Sequence, residues 1–185
     1  MTESAAITVP ALDEAAQLRA AARDPAGFAA LYRRFVDDIY RYLLARCGDP
    51  SEAEDLVADT FLAALRAAPG YRGAGPVKAW LVGIARRKAA DAYRGRRAHA
   101  TLEAAAAVAD PARTDELALE RVELARVLEA TGHLGADRAE ALRLRYFAGL
   151  EFTEIGRLMG RSEAAAKMLV HRALSDLRVR LEDPR

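Results

Sequence analysis

The stretch FTEIGRLMGRSEAAAKMLVHRALSDLR, residues 152–178, decides how the end of the chain folds. Ile155 and Leu158 lie on one side of a short predicted helix, and Gly160 supplies the tight turn that ends it. Ser162 is a suitable N-cap for a longer second helix. A short helix, a tight turn and a longer helix form a helix-turn-helix, so this pattern favours DNA binding over an ordinary helical hairpin.

The second predicted helix has an apolar inner face and a different outer face. The outer face begins with alanines and carries few hydrogen-bonding side chains. Small residues at a helix N-terminus allow close approach to phosphates, and methyl groups can contact thymine methyls. We therefore expect this helix to bind duplex DNA with strong dependence on duplex shape. The residues predicted to face outward are Ala164, Ala165, Met168, His171, Arg172 and Ser175, with Lys167 and Arg178 at the margin.

Composition indicates an all-α protein, because Ala, Leu and Arg dominate and β-branched residues are scarce. A length of 185 residues suits one domain or two small ones. The formal net charge of +1 excludes a uniformly basic coat for nucleic acid. Near-neutrality here conceals an acidic segment and a basic segment.

Several functional classes lack their signature in this sequence. The one cysteine, Cys47, permits no internal disulfide and is expected to be a small, partly buried side chain in a reducing, cytoplasmic setting. The three histidines lie in separate segments, so we expect no metal site, no cofactor and no enzymatic activity. No secretory leader or long apolar run is visible, so we expect no membrane insertion.

The helical patterns divide the chain into two helical domains joined by a flexible linker. Residues 1–24 form an N-terminal extension in which ALDEAAQLRAAA can make a short helix. Residues 25–97 form the first domain, where Asp-Pro pairs start two of the helices. Residues 98–114 are low in complexity and are interpreted as the linker. Residues 115–185 form the second domain, whose first helix is expected near 116–130.

An acidic helix is predicted after Pro50. Residues 49–65 contain five acids and no base. Helical projection places Leu62 near the acids rather than in the core, so the face is either solvated or a surface for a partner helix that presents arginines. The residues alone favour neither of these two interpretations. The predicted core positions are Ala53, Leu56, Val57, Thr60, Phe61 and Ala64.

A basic helix is predicted to begin at Pro76. Its segment RRKAADAYRGRR, residues 86–97, carries six bases and one acid. Small residues at Ala79, Gly83 and Ala90 would let a nucleic-acid backbone approach, and Tyr93 offers a plane on which an unpaired base can stack. A solvated arginine-rich face is the alternative interpretation. Trp80 falls on the inward side and is assigned to the core.

Three segments in this order resemble the sigma factors of bacterial RNA polymerase, in the extracytoplasmic-function (ECF, group IV) class of the sigma-70 family. EAEDLVADTFLAAL, residues 52–65, is similar to region 2.2 of that family. YRGAGPVKAWLVGIARRKAADAYR, residues 71–94, is similar to regions 2.3 and 2.4. ALRLRYFAGLEFTEIGRLMGRSEAAAKMLVHRAL, residues 141–174, is similar to region 4.2. The resemblance runs from about Phe28 to Arg178.

The resemblance implies a role for each surface. It implies binding to core RNA polymerase, at the β′ clamp helices and the β flap, to promoter DNA and to an anti-sigma factor. The implied contacts with core polymerase are Glu52, Asp55, Asp59 and Leu62. The implied minus 10 contacts are Tyr71, Arg72, Arg86, Ala90, Tyr93, Arg94 and Arg97, and the loop from Pro69 to Pro76 would hold a flipped-out base. The implied minus 35 contacts are Ser162, Ala164, Ala165, Lys167, Met168, His171 and Arg172.

The sequence therefore predicts a subunit that directs core RNA polymerase to promoters and assists DNA opening under the control of an anti-sigma factor. Two alternatives remain open at this point. One is a stand-alone helix-turn-helix regulator that binds duplex DNA as a dimer, and the other is a structural helical adaptor. A stand-alone regulator needs neither the acidic helix nor the basic helix, so these two segments favour the sigma factor.

Overall fold

The computed structural model describes residues 11–73, 75–100 and 131–182. Within these ranges every regular element is helical, which confirms the predicted all-α fold. The helices are α1 (Ala11–Ala21), α2 (Pro25–Cys47), α3 (Pro50–Ala67), α4 (Val77–Ala100), α5 (Ala136–Tyr146), α6 (Phe152–Met159) and α7 (Glu163–Glu182). A 3-10 helix, Ala68–Gly70, follows α3. The helix expected near 116–130 and residues 101–114 of the predicted linker lie outside the described residues.

The Asp-Pro pairs start α2 and α3 as predicted. Asp24 accepts hydrogen bonds from the backbone N–H groups of Ala26 and Gly27, at 3.1 and 2.9 Å. Asp49 accepts from the N–H of Glu52 at 2.7 Å. Both aspartates satisfy N–H groups that lack partners within the helix, and the following proline gives up no hydrogen bond at the first helical position.

Helices α1 to α4 pack into one bundle. All six core positions predicted for α3 are buried in it. In α2 the buried residues include Phe35, Ile39 and Leu43, which repeat at steps of four along one side of the helix. The N-terminal extension also contributes, because Leu18 of α1 is 1% exposed and lies in the same core.

Helices α5 to α7 form the second helical unit, and α6 and α7 form a helix-turn-helix. Gly160 ends α6 in the left-handed conformation, with φ of 65°. The Oγ of Ser162 accepts a hydrogen bond from the N–H of Ala165 at 3.2 Å, which confirms the predicted N-cap. Ala166, Val170 and Ala173 are buried on the inner face of α7. The pattern of turn, cap and apolar face is therefore the one predicted.

The two units contact each other directly. Helix α5 packs against α2, and α6 packs against α4. Helix α4 itself continues to Ala100, into the segment that was predicted to be linker. These contacts bring the basic helix of the first unit next to the helix-turn-helix unit, which the sequence did not predict.

Candidate functional surfaces

The outer face of α3 carries exposed acids around an exposed leucine. Asp55 and Asp59 are exposed, and Glu52 is half-buried. Leu62 is 51% exposed. The buried residues of α3 occupy the opposite side of the helix, so Leu62 faces the surface. The structure thus brings together the four residues predicted to contact a partner protein.

Two acids of this face are already paired with bases from α4. Glu52 accepts a hydrogen bond from Arg96, and Asp59 lies 3.4 Å from the Nζ of Lys88. Ion pairs between partly exposed side chains contribute about 0–1 kcal/mol each, because water and salt screen them. A partner that presents arginines could therefore replace these pairs at low cost.

The outer face of α4 is basic near its C-terminal end. Tyr93 is 55% exposed, and Arg94 is exposed and paired with Asp91. Ala90 is half-buried. Arg97 belongs to the helix, but its side chain lies outside the described part of the structure. An exposed aromatic ring next in sequence to an exposed arginine suits stacking and phosphate contacts with a single strand.

Arg86 is held by the second unit. Its Nε donates to the Oε1 of Glu140 at 2.9 Å, and its NH1 donates to the carbonyl oxygen of Leu158 at 2.8 Å. A Cβ added to Gly83 would lie 3.2 Å from the Cδ2 of Leu158. The small residue that was predicted to admit a nucleic-acid backbone thus admits α6 of the same chain.

Glu140 is a buried acid in the contact between the two units, and sequence reasoning missed it. Its side chain is 8% exposed, and it accepts hydrogen bonds from the Tyr42 hydroxyl at 2.9 Å and from Arg46. The available signal was an acid surrounded by apolar neighbours in EALRL. Such an acid needs partners when it is buried, but the sequence does not tell which ones.

Burial changes the proton affinities of groups beside Glu140. Burial, and then the negative charge of Glu140, raise the pKa of the Tyr42 hydroxyl. Burial lowers the pKa of Arg143, whose Nε donates to the carbonyl oxygen of Ala45 at 2.8 Å. At neutral pH the Tyr42 hydroxyl is therefore protonated and donates its hydrogen to Glu140.

The loop before α4 has a buried tyrosine and an exposed arginine. Tyr71 is 7% exposed, its hydroxyl donates to the carbonyl oxygen of Gly75, and its ring centroid lies 4.9 Å from that of Trp80. Burial raises its pKa, and the nearby charge of Glu14 adds to this. Arg72 is exposed. The Tyr71 side chain is therefore buried and does not face solvent. Trp80 is half-buried against the core, as predicted.

A cavity of ≈360 Å³ lies between this loop, α4 and α6. Trp80, Gly83 and Arg86 line it from α4, and Arg157 and Leu158 line it from α6. Its walls therefore belong to both units, so separation of the units would open it along one side.

The outer face of α7 brings together the residues predicted to contact duplex DNA. Met168 is 50% exposed. Ser162, Ala164, Lys167, His171 and Arg172 are exposed, and Ala165 is half-buried. A buried glycine, Gly156, was missed by sequence reasoning. A Cβ at this position would lie 2.7 Å from the carbonyl oxygen of Arg161, so only glycine allows the turn to pass this close to α6.

Two other kinds of site are absent from the described ranges. Residues 11–73, 75–100 and 131–182 contain no group of three or more His, Cys, Asp or Glu side chains that could hold a metal ion. Across the same part of the chain, no helix combines the length and the apolar character that crossing a membrane requires.

Comparison with known proteins shows the family of the chain. A family model of sigma-70 region 2 matches residues 31–99, and a model of sigma-70 region 4 matches residues 124–177. The ECF RNA polymerase sigma factor BldN of Streptomyces coelicolor is 36% identical over 169 residues, which are 89% of this chain and 64% of BldN. The ECF RNA polymerase sigma factor SigL of Mycobacterium tuberculosis is 31% identical over 170 residues, which are 89% of this chain and 94% of SigL.

A solved structure shares the arrangement of the helices. CnrH, solved in complex with the cytosolic domain of CnrY, has a TM-score of 0.73 and 25% sequence identity. The match covers 93% of this chain and 99% of CnrH.

The fold and its surfaces define an all-α protein of two helical units, one of which ends in a helix-turn-helix. The chain belongs to the sigma-70 family, in its extracytoplasmic-function class of RNA polymerase sigma factors. The bundle of α1 to α4 is called the region 2 unit and the group of α5 to α7 the region 4 unit, after the family models that match most of each.

Proposed function

We propose that this protein is a promoter-specificity subunit. It binds core RNA polymerase, directs it to promoters through two DNA elements and helps to open the DNA. It is non-catalytic on its own and acts in the cytoplasm, where RNA polymerase works. The observation that carries this proposal is the acidic face of α3 with its exposed Leu62, next to the basic face of α4 within one unit.

The acidic face docks on the β′ clamp helices. Acids around one exposed leucine are complementary to a helix that presents arginines and an apolar side chain. The β flap is the second contact on core polymerase, through the region 4 unit. Both contacts are carried over from the family to which the chain belongs.

Each unit takes one promoter element. The path of the opened strand at the minus 10 element is lined by Arg86, Ala90, Tyr93, Arg94 and Arg97. The loop from Pro69 to Pro76, which contains Tyr71 and Arg72, holds a flipped-out base of that element. Extrusion of a base costs a few kcal/mol, which stacking of about 1–3 kcal/mol per base offsets, so opening needs no ATP. The outer face of α7 binds the minus 35 element with few hydrogen bonds to bases.

An anti-sigma factor restrains the protein by covering its polymerase-binding surfaces. CnrH, the structural relative, was solved with the cytosolic domain of CnrY bound. A regulator of this kind has to cover the acidic face of α3, because that face makes the main contact with core polymerase.

Run-off transcription tests the proposal. The purified chain is mixed with core RNA polymerase and a library of promoter fragments. We expect a stable complex with core polymerase and transcripts from a subset of the fragments. If the chain forms no complex with core polymerase but protects a palindromic duplex on its own, it is a stand-alone regulator instead.

The double variant Asp55→Arg, Asp59→Arg tests the docking face. We expect a loss of core affinity of about a hundredfold or more, because two attractive charges become repulsive at a surface that excludes water on binding. Affinity is measured by pull-down, and helicity by circular dichroism. Asp37→Arg, an exposed position on α2, is the matched control and should retain affinity. Wild-type affinity in the double variant would place the docking face elsewhere.

A further inference from the structure

Helix α1 packs onto the loop that precedes α4, residues 71–76. Helix α1 itself lies before residue 31, where the match to the region 2 model begins. Leu18 is 1% exposed and Ala15 is 4% exposed, both in the core of the region 2 unit. Helix α1 contacts α2, α4 and the 3-10 helix that leads into the loop. Helix α1 is thus a structural part of the unit.

Two polar side chains of α1 bind the two ends of this loop. At the first end, the NH1 of Arg19 donates to the carbonyl oxygen of Tyr71 at 2.8 Å. At the other end, the backbone N–H of Val77, the first residue of α4, donates to the Oε2 of Glu14 at 3.3 Å. Glu14 is itself fixed by Arg34, whose NH2 lies 2.7 Å from its Oε1. Glu14 therefore supplies an acceptor for α4 from a helix that is distant in sequence.

The middle of the loop also lies against α1. Gly73 has φ of 75°, and a Cβ added to it would lie 3.3 Å from the Cβ of Ala15. Gly75 has φ of 142°. Two glycines in conformations that other residues rarely adopt give a free chain many alternative loop shapes. Contacts with α1 at Tyr71, Gly73 and Val77 restrict these shapes.

We infer that α1 is a positioning element for base recognition, with Arg19 and Glu14 as the positioning residues. This inference rests on the proposed function, in which the loop holds a flipped-out base of the minus 10 element. A recognition pocket discriminates between bases only when its groups are held in place before the base arrives. Arg19 and Glu14 do not touch DNA. They hold the loop in the shape that reads it, so α1 sets selectivity at the base that the loop accepts.

Arg19→Ala and Glu14→Ala test this inference in the full-length chain. Arg19→Lys is the conservative variant, since it keeps a cationic donor. Arg23→Ala is the matched control, because Arg23 is exposed in the turn that follows α1. The first measurement is amide hydrogen exchange of the free chain at residues 71–77. We expect exchange about tenfold faster in the two alanine variants, as for loss of one charge-assisted hydrogen bond, and unchanged exchange in Arg23→Ala.

The second measurement is base preference. Holoenzymes made with each variant select bound promoters from a pool that is randomised at the minus 10 element. We expect Arg19→Ala to keep its affinity for core polymerase and to lose about tenfold in discrimination at one base, with partial recovery in Arg19→Lys. The control should select the same sequences as the wild type.

The outcomes separate the inference from the proposed function. Unchanged exchange at residues 71–77 in both alanine variants overturns the positioning role, whatever the holoenzymes do. Faster exchange with unaltered base preference overturns the link between α1 and selectivity. If the wild type and Arg23→Ala both fail to bind core polymerase, the proposed function itself is wrong, and the base-recognition role of α1 is wrong with it.

Discussion

Cys47 ends α2 in a setting that suppresses its chemistry. The thiol is half-buried, and its Sγ donates to the carbonyl oxygen of Asp49 at 3.3 Å. Burial is the main cause that raises its pKa, and the charge of Glu52 adds to the effect. A thiol with a raised pKa is a weak nucleophile, since the thiolate is the reacting form.

We predict slow alkylation of Cys47. At pH 8 its reaction with iodoacetamide should be slower than that of free cysteine, because every unit of upward pKa shift lowers the thiolate population about tenfold. The rate is followed by mass spectrometry, and addition of urea should bring it to that of free cysteine. A folded protein that reacts as fast as free cysteine would exclude this protected setting.

Burial that follows from the residue's own helix was predicted well. Burial that depends on residues far away in the chain was not. The six core positions of α3 follow from helical periodicity, which operates within the helix itself. Glu140 has no such local cause. Its partners Tyr42 and Arg86 lie 98 and 54 residues away in the chain. Only the folded contact between the units explains why an acid is buried at that position.

At the scale of elements, the helix-turn-helix depends on one close approach. The backbone of Arg161 and Ser162 passes over Gly156 of α6 before α7 begins. The angle between α6 and α7 therefore depends on a glycine that lies within a helix, where glycine is otherwise unfavourable by about 1 kcal/mol relative to alanine.

We predict that Gly156→Ala damages the DNA-binding face. The added methyl group meets backbone atoms that cannot move aside alone, so we expect a loss of about 1–3 kcal/mol in stability and weaker binding to the minus 35 element. Urea unfolding and fluorescence anisotropy with duplex DNA measure the two effects.

Gly132→Ala is the matched control for that change. A Cβ at Gly132 meets nothing within 4 Å, and its φ is not positive. Stability should be unchanged or slightly higher, because alanine reduces the freedom of the unfolded chain. Equal behaviour of the two variants would show that the close approach does not matter.

The starts of helices were predictable because their causes are short-range. Asp24 and Asp49 each cap the helix that begins at the next residue. The packing of α1 was not predictable in the same way. Its apolar face consists mainly of alanines, which gives a weak pattern, and its contacts with Tyr71 and Val77 join residues more than 50 positions apart. These contacts became visible only in the folded bundle.

At the scale of the whole molecule, the contact between the units uses a residue with a second proposed role. Arg86 donates to Glu140 and Leu158, yet the minus 10 strand is expected to use the same guanidinium group. A guanidinium that is already bonded to a buried carboxylate has fewer donors left for phosphate.

We predict that Glu140→Gln separates the units and exposes Arg86. Removal of the carboxylate charge leaves Arg46 and Arg86 without their counter-ion, at a cost of about 1–3 kcal/mol after allowance for their partial exposure to solvent. The radius of gyration from small-angle scattering should rise, and binding of the free chain to a single-stranded minus 10 oligonucleotide should strengthen.

Asp137→Asn is the matched control on the same helix. Asp137 pairs with Arg161 at 2.6 Å, within the region 4 unit. We expect neither the radius of gyration nor the oligonucleotide affinity to change. If Glu140→Gln also leaves both quantities unchanged, the contact at Glu140 does not hold the units together.

Because Arg86 has two uses, the arrangement in which the two units are in contact lowers the apparent affinity for promoter DNA. On the proposed role of this arginine, DNA binds only molecules whose units have parted, so the apparent dissociation constant equals the intrinsic one divided by the parted fraction. Linkage makes the effect reciprocal. Promoter DNA lowers the affinity of any ligand that requires the packed arrangement. That ligand lowers the affinity for promoter DNA by the same factor.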